Sequence, residues 1–152
     1  MDMAIARMRF ALETLPGRLR AMTEQQSQQR PAPDRWTTKE VIGHLIDSAA
    51  NNHQRFVRGQ VADRSEFAGY EQEAWVRLQA YQDADWNTLI TLWHSYNAHL
   101  LHVIEHMTAA NRNNLCRVGG GEWVSLSALF IDYVDHLEHH LRKVFGSWDM
   151  PV

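Results

Sequence analysis

Apolar residues recur along most of this chain at steps of three and four, the spacing that lines one face of an α-helix. Ile5, Met8, Leu12, Leu15, Leu19 and Met22 make the first such line. Pro16-Gly17 lies inside it and predicts a break into two helices, with Thr14 capping the second. A Gln-rich stretch then leads into Arg30-Pro-Ala-Pro-Asp-Arg, a stiff connection that cannot be helical.

The next helix has a clear start: Thr37 with Glu40 three residues on, the pattern of a capping box. Val41, Leu45, Ala49, Asn52 and Phe56 form its core-facing line. A loop is expected over about residues 59–70, then a short amphipathic piece near 74–81 lying across the bundle. Asp85 opens a third long helix with Leu89, Leu92, Trp93, Tyr96 and Leu100 on one face. Residues 111–121, with Asn111-Arg-Asn-Asn and Gly119-Gly120-Gly121, read as a flexible loop. Ser125 starts the last helix, which ends near Gly146. Four long amphipathic helices, no convincing strand and no internal repeat predict an all-α four-helix bundle, a single domain over residues 1–152.

Composition narrows the class. Hydrophobic residues are 45% and charged residues 22%, ordinary for a soluble globular chain. A net charge of −3 gives no electrostatic footprint for nucleic acid. No apolar run approaches a membrane span and the N-terminus has no signal-peptide core, so the expected location is the cytoplasm. Cys116 is the single cysteine, which rules out an internal disulfide and a thiolate-rich metal site; with no base beside it in sequence it reads as an inert thiol.

Nine histidines turn attention to metal chemistry. In Asp135-His-Leu-Glu-His-His-Leu-Arg, His136 and His140 stand four apart and share a helix face. His140 falls inside the stripe of Leu126, Phe130, Tyr133, Leu137, Leu141 and Val144; His136 is at its edge and His139 points away. Such a pair can grip one divalent cation, or be core histidines hydrogen-bonded to backbone or side chains. A metal site needs at least one further ligand. His44 heads a polar line with Ser48, Asn51 and Arg55, which periodicity alone allows to be a solvated face; His99, at the edge of the third helix's stripe, is the rival. His53 suits a structural hydrogen bond. Arg55 is a candidate for an anionic substrate group against an ordinary salt bridge. Trp36, at a helix entry, is placed to line a pocket, Asp132 to orient the His136 ring, and Asp135 and Glu138 to point into solvent.

Arg35-Trp-Thr-Thr-Lys-Glu-Val-Ile-Gly-His-Leu-Ile-Asp-Ser, then Asn52-His-Gln-Arg-Phe, Tyr70-Glu-Gln-Glu-Ala-Trp and Asp132-Tyr-Val-Asp-His-Leu-Glu-His-His closely resemble the DinB-like superfamily, and within it the YfiT group of metal-dependent hydrolases. The resemblance runs over about residues 14–145. It implies an up-down-down-up four-helix bundle with one divalent metal, zinc or nickel, held by His44, His136 and His140, and a site with room for water or substrate. It further implies a homodimer and a small-molecule substrate. Some relatives transfer low-molecular-weight thiols such as bacillithiol, and others are mycothiol-dependent isomerases. The expected function is a thiol S-transferase or hydrolase with substrate near Trp36, Asn51 and Arg55. The alternative is a non-catalytic metal- or small-molecule-binding stress-response protein.

Overall fold

The computed structural model describes residues 1–148; of the domain expected over 1–152, residues 149–152 lie outside this description. Its elements in chain order are α1 (Asp2–Arg20), α2 (Glu24–Ser27), α3 (Thr38–Arg58), β1 (Arg64–Phe67), α4 (Gln72–Leu78), a 3-10 turn at Tyr81–Asp83, α5 (Trp86–Glu105), a second 3-10 turn at Asn111–Asn113, β2 (Leu115–Val118), β3 (Val124–Ser125) and α6 (Leu126–Phe145).

Helices α1, α3, α5 and α6 make the bundle, and side-chain pairings fix their directions. Arg7 meets Asp135 and Glu138 while Arg18 covers the Phe145 ring, so α1 and α6 run parallel. Arg9 pairs with Glu105 and Trp86 Nε1 donates to the Leu19 carbonyl, so α1 and α5 are antiparallel. Lys39 donates to the Ala84 carbonyl and His53 packs on Tyr96, so α3 and α5 are parallel. His44 meets His136 and Phe56 meets Phe130, so α3 and α6 are antiparallel. The order is up-down-down-up.

The capping box at Thr37 forms as read: its side chain accepts from the Glu40 amide while Glu40 accepts from the Thr37 amide, a local stabilisation of about 1 kcal/mol. Val41, Leu45, Ala49, Asn52 and Phe56 are all buried. In α5, Leu92 departs from its expected place: it is an exposed apolar residue, and Trp93 takes the core position beside it.

Three expectations fail for identifiable reasons. Helix α1 is continuous through Pro16, and the Thr14 hydroxyl donates to the Phe10 carbonyl inside the helix instead of capping a new one. An interior proline costs about 3 kcal/mol, which the last turn offsets by burying Leu15, Pro16 and Leu19. The chain also contains strands: β1 pairs in parallel with β2, from Arg64↔Leu115 to Phe67↔Val118, and β2 pairs antiparallel with β3. The three glycines are part of that sheet. Gly119 and Gly120 take φ of +58° and +75°, and the Gly121 amide donates to the Val118 carbonyl, giving the tight turn with two positive φ values that joins β2 to β3. Third, Glu138 is buried between the guanidinium groups of Arg7 and Arg142, because α1 brings Arg7 to a face that α6 alone would leave wet. Asp135, also held by Arg7, stays exposed.

One close approach matters for the site. A Cβ on Gly43 would lie 2.1 Å from the Tyr81 ring, whereas one on Gly17 would meet nothing within 4 Å. Gly43→Ala is therefore expected to cost about 2–3 kcal/mol by overpacking, and Gly17→Ala to stabilise by about 0.5–1 kcal/mol through helix propensity. Urea midpoints of the two variants measure this. Equal midpoints would mean that Tyr81 yields without cost.

Candidate metal centre

His44 lies two turns into α3, where the capping box has already set the helix, and faces the C-terminal half of α6. Its ring centroid is 5.0 Å from that of His136 and 4.7 Å from that of His140; His136 and His140 are 4.6 Å apart. The Nε2 atoms of His44 and His136 face each other at 3.1 Å. One potential ligand nitrogen from each ring lies within 4.8 Å of the others. With metal–nitrogen bonds of about 2.0–2.1 Å, two nitrogens on a tetrahedral ion sit about 3.3 Å apart, so the cluster has the dimensions of a three-histidine site.

The environment prepares the rings to be ligands. His44 is fully buried, His140 nearly so and His136 partly. Burial, reinforced by neighbouring imidazoles, pulls His44 down to about 4 and His140 to about 3; burial also lowers His136, against the opposing pull of Asp132. All three rings are neutral at pH 7, the form in which imidazole offers a lone pair. Nδ1 of His44 and Nδ1 of His140 are buried with no hydrogen-bond partner among the described residues. A nitrogen-only donor set suits a borderline transition ion rather than magnesium or calcium. On donor chemistry, spacing and orphaned ring nitrogens, these residues fit a divalent transition metal.

The same burial gives the metal-free protein a defined pH response. The unfolded chain takes up protons on these rings near pH 6.5, whereas the folded chain does so only near pH 4 at His44 and pH 3 at His140. The unfolded state therefore holds more protons between those limits, and stability falls as pH is lowered through them. Denaturant midpoints of chelated protein at pH 7 and pH 5 are expected to differ, with the lower value at pH 5. A flat profile would show that the rings are solvated.

The other residues singled out from sequence divide. Trp36 is placed against the cluster, its ring 4.9 Å from His44 and stacked within 20° of His140 at 6.2 Å. It also lines a cleft of about 470 Å³ with Glu40, Val76, Arg77 and Tyr81, which none of the three histidines reaches. Asn51 is partly buried, its amide donating to the Asp47 carbonyl at 2.9 Å. Arg55 is buried three turns along α3. Asp132 is exposed and acts on His136 through space, with no hydrogen bond to it among the described residues. His99 is exposed and packs on His53, away from the cluster; His53 Nδ1 contacts the Tyr96 hydroxyl at 3.3 Å. His139 is exposed.

Sequence reasoning passed over Asp47. It is buried one turn beyond His44, its Oδ1 accepting from Tyr81 Oη at 2.6 Å and from the Gln79 amide, with Oδ2 buried and unpartnered among the described residues. Burial raises its pKa against those two hydrogen bonds. The available signal was an acid in the run His44-Leu-Ile-Asp47, three residues from a candidate ligand and hence on a neighbouring face.

The family model described as the DinB superfamily matches residues 7–144. The protein named "Putative metal-dependent hydrolase BH0277" in Halalkalibacterium halodurans is 23% identical over 137 residues, 88% of this chain and 80% of that one. Its counterpart YfiT of Bacillus subtilis, carrying the same description, is 23% identical over 138 residues, 88% of this chain and 78% of that one. Among solved structures, YfiT from Bacillus subtilis, titled a probable metal-dependent hydrolase with an unusual four-helix bundle topology, superposes with a TM-score of 0.79 over 95% of this chain and 83% of that chain. The DinB-like protein YjoA of Bacillus subtilis, 15% identical, superposes with a TM-score of 0.66 over 98% of this chain and 95% of that one.

Proposed function

Because the chain belongs to the DinB superfamily, we propose that it is a divalent-metal-dependent enzyme that brings a small nucleophile, a low-molecular-weight thiol or water, onto an electrophilic small molecule. The observation that carries this is the convergence of three neutral imidazoles, from His44, His136 and His140, at one end of the bundle. Three protein donors are the complement of a catalytic ion, whereas closed structural sites use four.

Zinc or nickel held there would supply Lewis acidity and favour the deprotonated form of a thiol or of water at neutral pH. The chain's own part is preparation. Burial holds the rings neutral, and Trp36 covers His44 and His140 and keeps bulk water off them. Asp47, held in place by Tyr81 and Gln79, keeps a proton more readily than a free carboxyl does. Thiol transfer is the first reading. Hydrolysis is the second, supported by the descriptions of the relatives.

The test is incubation of holoprotein and chelated protein with low-molecular-weight thiols and monochlorobimane, alongside ester and amide substrates. Product is expected from the holoprotein alone. Chelation is expected to leave far-ultraviolet circular dichroism and cooperative unfolding in place, since the core of Met8, Leu15, Ile42, Phe56, Trp93, Leu100 and Phe130 does not include the histidines. Absence of metal-dependent product with every pair would transfer the site to the non-catalytic binding reading.

A further inference from the structure

Arg55 is a buried cation without a counter-ion. It is 8% exposed, and its one side-chain hydrogen bond among the described residues runs from Nη1 to Asn52 Oδ1 at 3.2 Å. The two other well-covered cations behave differently: Lys39 pairs with Glu24, and Arg7 with Glu138 and Asp135. A carboxylate was available on the same helix, but Asp47 is committed to Tyr81 and Gln79. The phenol of Tyr70 and the thiol of Cys116 lie within electrostatic reach of the guanidinium. Neither balances it at neutral pH, because burial pushes Tyr70 up to about 12 and raises Cys116. Arginine itself stays charged. Leaving such a charge buried and unpaired is costly, and the usual partner is a carboxylate or phosphate that takes the planar fork in two parallel hydrogen bonds.

The register of α3 connects this charge to the histidines. His44, Ser48, Asn51 and Arg55 follow one another at steps of four, three and four, so Arg55 returns to within about 20° of His44's direction, roughly 16 Å along the axis. Tyr70 is in electrostatic reach of both Asp47 and Arg55, which places it over the stretch of helix between them.

We propose that Arg55 anchors an anion subsite on the same face of α3 as His44, and that the substrate carries a carboxylate or phosphate at the end remote from its reacting group. This deepens the proposed function and rests on it for the identity of the reacting end. Asn51, partly buried on the path between the two ends, is positioned to meet the middle of such a molecule.

The test is thermal unfolding of holoprotein titrated with succinate or with inorganic phosphate at constant ionic strength, for wild type, Arg55→Met and Arg55→Lys, with metal content measured in each. Wild type is expected to show a saturable rise in Tm with one of the two anions, which identifies the chemistry. Arg55→Met is expected to bind that anion about tenfold to a hundredfold more weakly, the loss of a charge-assisted hydrogen bond, with Arg55→Lys in between. In anion-free buffer Arg55→Met is expected to melt no lower than wild type, since it removes an uncompensated charge. A purely structural arginine predicts a lower Tm. Saturation unchanged in Arg55→Met, which is what an anion bound at the metal alone would give, overturns the proposal, as does the absence of saturation by either anion in wild type. Anion saturation lost in Arg55→Met from protein that holds no metal would uphold the subsite while removing the proposed function.

Discussion

Protein carrying His136→Ala is expected to emerge folded and without its metal. Replacing an imidazole ligand leaves two donors, and affinity is expected to fall by more than about a hundredfold, since loss of an outer-shell partner alone costs about 10- to 100-fold. His44→Ala and His140→Ala are expected to do the same. His139→Ala, on an exposed ring of the same helix, is expected to retain a stoichiometric ion. Elemental analysis of untagged protein together with zinc titration calorimetry measures all four. Full retention by His44→Ala would remove α3 from the site, and His99 could not replace it from its exposed position beside His53. The fold is expected to survive these changes, because in the metal-free chain Nδ1 of His44 and of His140 are already unpartnered and alanine removes a polar atom without stranding another.

Arg7→Met is expected to lower stability by about 3–5 kcal/mol, the cost of stranding a buried carboxylate. Glu138 has a side chain only 6% exposed, and Arg7 is the partner that reaches it from a different helix, Arg142 being its neighbour on α6. Arg7→Met with Glu138→Leu is expected to recover most of the loss, because an apolar pair of similar size asks nothing of the interior. Urea denaturation of the two single variants and the double variant measures the coupling. Additive losses would show that Glu138 finds enough compensation from Arg142.

The helices were legible where local chemistry and periodicity agreed. Thr37 and Glu40 announced α3, Asp85 and Ser125 opened α5 and α6, and the stripe through Leu126, Phe130, Tyr133 and Leu137 placed His140 inward before any partner helix was known. What failed depended on partners distant in sequence. β1 and β2 are four residues each, too short for alternation to declare itself, and each is defined by the other. Pro16 stays helical because of what Leu15 and Leu19 bury, and Glu138 is an interior residue because of Arg7. His44 sat in a line that looked wet. Its burial is contributed by α6 and Trp36, and only the family resemblance pointed there from sequence. Asp47 was overlooked because its partners, Gln79 and Tyr81, arrive from beyond β1.

The parallel clasp of β1 on β2 turns the middle of the chain into a ring. Arg64 meets Leu115, so α4 and α5 lie within a closed circuit of about fifty residues, whose closure costs roughly 3–4 kcal/mol of chain entropy. A ladder of four residues per strand does not assemble such a circuit unaided. The docking of α5 along α3 has to shorten the gap first, after which the strands zip at small further loss. The clasp is then a latch that closes on a finished bundle, and Cys116 on β2, beside Arg55, is carried into place at that late stage of folding.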